Sequence, residues 1–152
     1  MTLIEIKKNA VSQFAAAGLP TAELDADCLL QFLLNKDKTF VLMNRDLEIT
    51  EEQEKKFAEY VEKRKTGLPV AYITHKKEFF NTEFYVTEDV LIPKPDTEIL
   101  VQEAVNKILE FAKRETERTL FIRIADICTG SGCIAISVVK EVLSKTQNVQ
   151  FE

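Results

Sequence analysis

The residues best suited to chemistry in this chain lie between Asp126 and Gly132. The carboxylate of Asp126 follows an apolar run at residues 120–125 and precedes a turn of small residues that includes Gly130 and Gly132. Glycine has no side chain and tolerates positive φ, so such a turn lets a ligand approach the backbone closely. The apolar residues of the segment 133–145 recur at helical spacing, and a helix N-terminus there would offer free N–H groups to an anionic group. The pattern predicts a strand, a turn and a helix that bind a nucleotide-like ligand.

Two classes of cofactor fit this turn, and a tight turn without any ligand fits it as well. Gly130, Gly132 and Ala135 match the G-x-G-x-x-G/A fingerprint of proteins that bind NAD or FAD. Asp126 followed by small residues also fits the D-x-G-x-G-x-G pattern of class I S-adenosylmethionine methyltransferases, with Cys128 at the first glycine position. Cysteine adopts positive φ less readily than glycine. The motif by itself therefore leaves the choice of cofactor open.

The cysteines and the single histidine do not predict a metal site. Cys28, Cys128 and Cys133 are irregularly spaced and lie in apolar segments, which is typical of reduced, mostly buried thiols in a cytoplasmic protein. Structural metal sites bring four Cys or His ligands together, whereas Cys128 and Cys133 have only the distant His75 in the sequence. We therefore expect no bound metal.

Composition excludes several classes of function. A chain of 152 residues with 45% apolar and 30% charged residues is expected to be a soluble globular protein of one ordinary or two small domains. No apolar run approaches the roughly 20 residues that cross a bilayer, and the acidic Glu5 is unlike a cleaved leader peptide. A net charge of −5 without a basic run argues against sequence-independent binding to nucleic acid. We expect a cytoplasmic protein whose partner is a protein or a small molecule.

The first half of the chain is predicted to be an all-helical bundle. Apolar spacing indicates helices at residues 2–17, 21–34, 39–43 and 51–65. Thr50 and Gln53 form a capping-box pattern before the last of them. Asp25 and Asp27 could form a carboxylate pair for chemistry, but negative charge suits the first turn of a helix and we expect both in solvent. The break at 67–69 ends the bundle, and residues 70–73 are expected to be a short connector.

The second half changes character. Aromatic residues at 79–86 suggest two strands of a hairpin, with Asn81 and Thr82 between them. Pro93 and Pro95 fix φ and extend the residues that precede them. Asp96 or Thr97 is expected to cap a helix that runs to about residue 113. Its inward residues are predicted to be Leu100, Val101, Ala104, Val105, Ile108 and Ala112. The run 120–125 is predicted to be a buried strand of the parallel type.

In this order the segments resemble one family, HemK/PrmC, the release factor glutamine methyltransferases. The resemblance rests on four motifs at family spacing: Gly-Leu-Pro-Val-Ala-Tyr-Ile at 67–73, Glu-Phe-Phe at 78–80, Val-Leu-Ile-Pro-Lys-Pro-Asp-Thr-Glu at 90–98 and Asp-Ile-Cys-Thr-Gly-Ser-Gly at 126–132. It implies a helical N-terminal bundle, a β-hairpin linker and the first βα unit of a Rossmann-like class I methyltransferase domain. The implied divisions are residues 1–74, 75–95 and 96–152.

The resemblance also implies a cofactor and a partner. The cofactor would be S-adenosylmethionine, and the partner a peptide chain release factor whose Gly-Gly-Gln glutamine is methylated and which the bundle helps to recognise. The implied cofactor-binding residues are Pro93, Pro95, Thr97, Asp126, Cys128, Thr129, Gly130, Ser131 and Gly132. The family has arginine where Lys94 stands and usually glycine where Cys128 stands, and lysine would replace a bidentate arginine only as a point charge.

The C-terminal residues resemble the opening of the family's second strand. In the family, an acidic ribose-binding residue ends that strand, and an Asn-Pro-Pro-Tyr motif that holds the substrate glutamine follows later. Glu152 falls short of the first position, and no Asn-Pro-Pro occurs in the sequence. We therefore expect the N-terminal, truncated part of the enzyme, without catalytic residues of its own and inactive by itself.

Two alternatives and one further expectation accompany this interpretation. The bundle could be a non-catalytic module that recognises a translation factor, and Gly130 to Ala135 could belong to an NAD-binding fragment. A single parallel strand lacks the neighbours that cover such strands in a full sheet. We therefore expect the run 120–125 to be partly unpaired or to drive self-association.

Overall fold

A computed structural model describes residues 1–115 and 118–151 of the chain. The contacts divide it into two compact units, Met1–Thr74 and His75–Glu152. Within the described ranges, no helix is both long and apolar enough to span a membrane.

The first unit is helical. Its helices are α1 (Leu3–Ala16), α2 (Ala22–Leu34), α3 (Lys38–Met43), α4 (Glu51–Lys65) and α5 (Val70–Thr74). The four helices predicted from apolar spacing are confirmed. The connector expected at 70–73 is wrong, because these residues form α5. The carbonyl of Pro69 accepts hydrogen bonds from the N–H groups of Tyr72 and Ile73, at 3.0 and 3.3 Å. Proline suits this position because its fixed φ matches a helix start.

Side chains cap the N-termini of α1, α3 and α4. The capping box predicted at α4 is confirmed: the Gln53 N–H donates to Thr50 Oγ1 at 3.2 Å, and the Thr50 N–H donates to Gln53 Oε1 at 2.9 Å. An equivalent box of Thr2 and Glu5 begins α1. These contacts satisfy backbone donors that a helix terminus would otherwise leave unpaired.

Asp25 and Asp27 differ from the expectation that both lie in solvent. Asp25 is buried on α2, where its Oδ2 accepts from Arg64 Nε and from Thr21 Oγ1, both at 2.9 Å. Asp27 is half-buried and its Oδ1 lies 2.5 Å from Lys7 Nζ. The carboxylates therefore join α2 to α4 and to α1, since buried charges need such partners.

The described residues of the first unit share one apolar core. Phe14, Leu29, Leu30 and Phe57 are fully buried in it. They come from α1, α2 and α4, so burial of their side chains holds the three longest bundle helices together.

The second unit begins with a β-hairpin, which confirms that prediction. Strand β1 (Lys76–Phe79) pairs antiparallel with β2 (Thr82–Tyr85), and Phe79 lies opposite Thr82. The turn is Phe80-Asn81, one residue earlier than expected, and both residues have positive φ, 47° and 56°. These signs match a two-residue I′ turn, whose twist fits the right-handed twist of the strands.

Helix α6 (Glu98–Arg114) follows a short 3₁₀ turn at Pro95–Thr97. The expected side-chain cap by Asp96 or Thr97 is wrong: Thr97 occupies the cap position in helical geometry and makes no capping hydrogen bond. The 3₁₀ turn takes the place of a cap, with the Thr97 N–H donating to the Lys94 carbonyl at 3.0 Å. The expected inward residue Leu100 is 55% exposed.

The unit ends in a β–α–β arrangement. Strand β3 (Leu120–Ile122) pairs parallel with β4 (Val149–Phe151), and α7 (Cys133–Lys145) lies between them in sequence. The parallel type is confirmed, but the buried six-residue strand predicted at 120–125 is wrong. The strand has three residues and Phe121 is 59% exposed. Two strands alone cannot cover both faces of a parallel pair.

Candidate functional site

The turn between β3 and α7 holds most of the residues predicted to bind a cofactor. Cys128, Gly130 and Gly132 all adopt positive φ, at 65°, 57° and 75°. The left-handed region is therefore used at every second residue. The two glycines stand where their freedom is required, whereas Cys128 adopts the same conformation despite its Cβ.

Hydrogen bonds close this turn on itself. Thr129 Oγ1 donates to Asp126 Oδ2 at 3.0 Å, and the Gly132 N–H donates to the Thr129 carbonyl at 2.9 Å. Asp126 and Ser131 are half-buried, while Cys128, Thr129 and Gly130 are exposed. The structure therefore brings the predicted residues from Asp126 to Gly132 together in one small loop.

The two glycines differ in what surrounds them. A Cβ added to Gly132 would lie 3.1 Å from Ile136 Cδ1, so this glycine also permits close packing against α7. A Cβ added to Gly130 would meet nothing within 4 Å. Gly130 therefore leaves open space above the backbone, as a cradle for a ligand requires.

The N-terminus of α7 faces this loop without a side-chain cap. Gly132 is its N-cap residue and makes no side-chain hydrogen bond. The first backbone hydrogen bond of the helix runs from the Ile136 N–H to the Gly132 carbonyl at 3.0 Å. The preceding N–H groups have no partner within the helix, so they can donate to a polar or anionic ligand.

The predicted residues around Pro93 form a separate segment. Pro93 is buried, Pro95 is exposed and Thr97 is half-buried. Lys94 is extended, with φ −97° and ψ 138°, as expected for a residue before proline. In the described chain, no hydrogen bond joins Pro93–Thr97 to the turn at Asp126–Gly132. The helices that follow the two segments, α6 and α7, do pack against each other.

The cysteines are all free, but their burial differs from the expectation. Cys133 is buried and Cys28 is half-buried, whereas Cys128 is exposed. Burial raises the pKa of the Cys28 thiol, and the charges of Asp25 and Asp27 raise it further. Cys128 is exposed because it belongs to the open loop and not to the apolar strand that precedes it.

Sequence reasoning missed one feature of the first unit. A cavity of about 410 Å³ lies among residues of α1, α2, α3 and the loop after α3. Its lining residues are far apart in sequence and carry no motif. In the sequence, the only indication of this cavity was the mixture of apolar and basic residues in the segment that forms α1.

Comparison with known proteins connects both units to one family. Residues 5–74 match the family model of the PrmC N-terminal domain. The chain is 42% identical to a release factor glutamine methyltransferase of Clostridium acetobutylicum over 116 residues, which cover 76% of this chain and 38% of the relative. It is 36% identical to one of Koribacter versatilis over 141 residues, 93% of this chain and 48% of the relative.

A third relative agrees. The release factor glutamine methyltransferase of Shewanella oneidensis is 37% identical over 126 residues, which cover 83% of this chain and 41% of that protein. The chain thus spans less than half the length of these curated relatives. The chain belongs to the HemK/PrmC family of release factor glutamine methyltransferases, and it matches the N-terminal part of that family's members.

Proposed function

We propose that the chain is the N-terminal part of an S-adenosylmethionine-dependent methyltransferase that acts on the Gly-Gly-Gln glutamine of peptide chain release factors in the cytoplasm. The observation that supports this most is the open glycine turn between β3 and α7 in a chain whose relatives are named release factor glutamine methyltransferases. The divisions at 1–74, 75–95 and 96–152 belong to the proposal, with the last as the start of a Rossmann-like domain.

The residues of the turn suit a cofactor of this shape. S-adenosylmethionine, when bound, supplies a methyl group on a sulfonium centre. Gly130 would leave room for the cofactor beside the backbone, since an added Cβ there meets no atom within 4 Å. The uncapped N–H groups of α7 would donate to its polar atoms. Asp126, held by Thr129, would fix the shape of the loop.

The 152 residues alone are expected to bind cofactor weakly and to transfer no methyl group. An amide nitrogen is a poor nucleophile, because its lone pair is delocalised into the carbonyl. Transfer to it needs exact in-line placement and acceptors for its N–H groups. The family motif expected to supply those acceptors, Asn-Pro-Pro-Tyr, does not occur in this sequence.

A chimaeric enzyme tests the proposal. Residues of this chain replace the matching N-terminal part of the Clostridium acetobutylicum relative, and transfer of labelled methyl groups to a release factor is measured. We expect transfer by the chimaera and none by residues 1–152 alone. A folded chimaera without activity would contradict the methyltransferase assignment. Transfer by residues 1–152 alone would contradict the expectation that this chain lacks the catalytic groups.

A matched pair of glycine variants tests the binding site. Gly130→Ala and Gly18→Ala both introduce a Cβ at positive φ, 57° and 76°, where nothing lies within 4 Å. Both substitutions strain the backbone similarly, but only Gly130 lies in the proposed cradle. We expect Gly130→Ala alone to weaken S-adenosylmethionine binding by the chimaera. Equal binding by the two variants would place the cofactor elsewhere.

The same proteins distinguish the proposed function from two alternative functions. The compact unit Met1–Thr74 would suit a non-catalytic module that recognises a translation factor, and capture of a release factor by that unit together with an inactive chimaera would favour it. An NAD-binding fragment would be favoured only if NAD, and not S-adenosylmethionine, bound in a cofactor titration.

A further inference from the structure

The cavity of the first unit has an apolar floor. It is lined by Leu3, Ile4 and Val11 of α1 and by Val41 and Leu42 of α3, with a volume of about 410 Å³. Leu3 and Val41 are buried core residues, so the floor is a fixed part of the bundle. We call this cavity the α1–α3 groove. Its size falls in the range of binding pockets, roughly 300–1,000 Å³.

The rim of the α1–α3 groove carries more positive than negative side chains. Lys7 at the groove is paired with Asp27, at 2.5 Å. Lys8 and Arg45 also line the groove, and among the described residues neither takes part in an ion pair. The carboxylate that remains, Glu23, balances only one of these two cations. The rim is therefore positively charged in a chain whose net charge is −5.

Arg45 is positioned at this rim by the backbone. Its Nε donates to the Leu42 carbonyl at 3.2 Å, which leaves the other guanidinium donors free for a carboxylate.

Beside Arg45, apolar surface continues out of the groove: Leu42 is 40% exposed and Met43 is 80% exposed. An apolar floor, a basic edge and an apolar shoulder thus lie next to each other.

These features fit a segment of a protein better than a small molecule. Small-molecule sites present a few convergent polar groups inside the pocket, whereas the half-buried charges of this groove, Lys7 and Asp27, already form an ion pair with each other. Large apolar side chains of a partner would displace water from the floor. A carboxylate beside them would meet Lys8 and Arg45.

We propose that the α1–α3 groove docks an acidic, apolar segment of a protein partner, in which one or two large apolar side chains enter the groove and a neighbouring carboxylate binds Lys8 and Arg45. The identity of the protein that carries this segment, a release factor, rests on the proposed function. The location and the chemistry of the docking site rest on the groove itself.

Binding of residues 1–152 to a fluorescently labelled release factor tests the inference. The groove variants are the double substitution Lys8→Glu, Arg45→Glu and the single substitution Leu42→Asp. The matched control is Lys55→Glu, Lys56→Glu, which makes the same change of charge at exposed positions of α4 that do not line the groove. We expect the groove variants to weaken binding at least about tenfold and the control less than about twofold.

Circular dichroism checks that each variant folds. If Leu42→Asp fails to fold, the double substitution carries the test, because Lys8 and Arg45 are exposed. Wild-type binding that the groove variants do not weaken, or that the control weakens equally, would overturn the inference. So would an absence of wild-type binding. Methyl transfer by the chimaera is measured independently, so failure of the groove leaves the proposed function standing and the two failures can be told apart.

Discussion

Replacing Cys128 with glycine should stabilise the second unit. Cys128 has a φ of 65°, and a residue with a Cβ loses about 1–2 kcal/mol in the left-handed region. Glycine removes that cost but gains freedom in the unfolded chain, which opposes folding by about 0.4–1 kcal/mol. Since Cys128 is exposed, little apolar burial is lost. The net expectation is a gain of about 0.5–1 kcal/mol in the free energy of unfolding.

Urea unfolding followed by circular dichroism measures this gain. Hydrogen exchange of the Ile136 amide, which bonds to the Gly132 carbonyl at 3.0 Å, reports on the start of α7 directly. Cys128→Ala is the matched control, because it removes the thiol and keeps the Cβ. We expect the alanine variant to stay within about 0.5 kcal/mol of the wild type.

Two results would refute this reasoning. If alanine and glycine stabilise the protein equally, the thiol and not the backbone conformation is the source of the cost. If glycine destabilises the protein, the turn does not hold Cys128 at positive φ in solution. In either case, the positive φ of Cys128 would not be a cost that glycine relieves.

Other predictions concern the bundle and the strands. Thr50→Ala should lower the free energy of unfolding by about 1 kcal/mol in urea titrations, whereas Thr39→Ala, in the exposed face of α3 and without a capping role, should change it less. The pKa of Glu5 lies below its ordinary value because the Thr2 N–H and hydroxyl hydrogen-bond to it. The stability that Glu5 adds is thus present above the ordinary pKa and lost as the pH falls through the lowered one, and Glu5→Gln should flatten this part of a plot of unfolding free energy against pH. Residues 1–75 alone should unfold cooperatively on heating, and a gradual loss of ellipticity would contradict the division into two units. Residues 115–152 should exchange amide hydrogens faster than the bundle or drive self-association, so uniform protection in a strictly monomeric sample by sedimentation would argue against unpaired edges.

The bundle was the most predictable part of the chain, because its signals are local. Apolar spacing within one helix and a capping pair three residues apart depend on nothing outside the segment, and both α4 and its Thr50 cap follow from them. The burial of Asp25 could not be predicted, since its partner Arg64 lies 39 residues away. A charge is buried only where the fold supplies such a partner.

The second unit was less predictable, because several of its features depend on residues outside the segment that carries them. The glycine turn was identified from residue types alone, but the length and exposure of β3 depend on neighbouring strands and helices. Leu100 fits the helical spacing of an inward residue and yet lies outward, because periodicity defines a face and not what covers it. The positive φ of Cys128 was missed, since the general preference of cysteine was outweighed by the demands of the turn.

The continuity of the first unit in sequence has a consequence for synthesis. All of Met1–Thr74 leaves the ribosome before the hairpin does, and a stretch as long as the second unit takes roughly 4–15 s to make at about 5–20 residues/s. Helical bundles fold in microseconds to milliseconds. The bundle therefore has ample time to fold before β4 is translated. Strand β3 cannot form its parallel pair until then, because β4 is its partner.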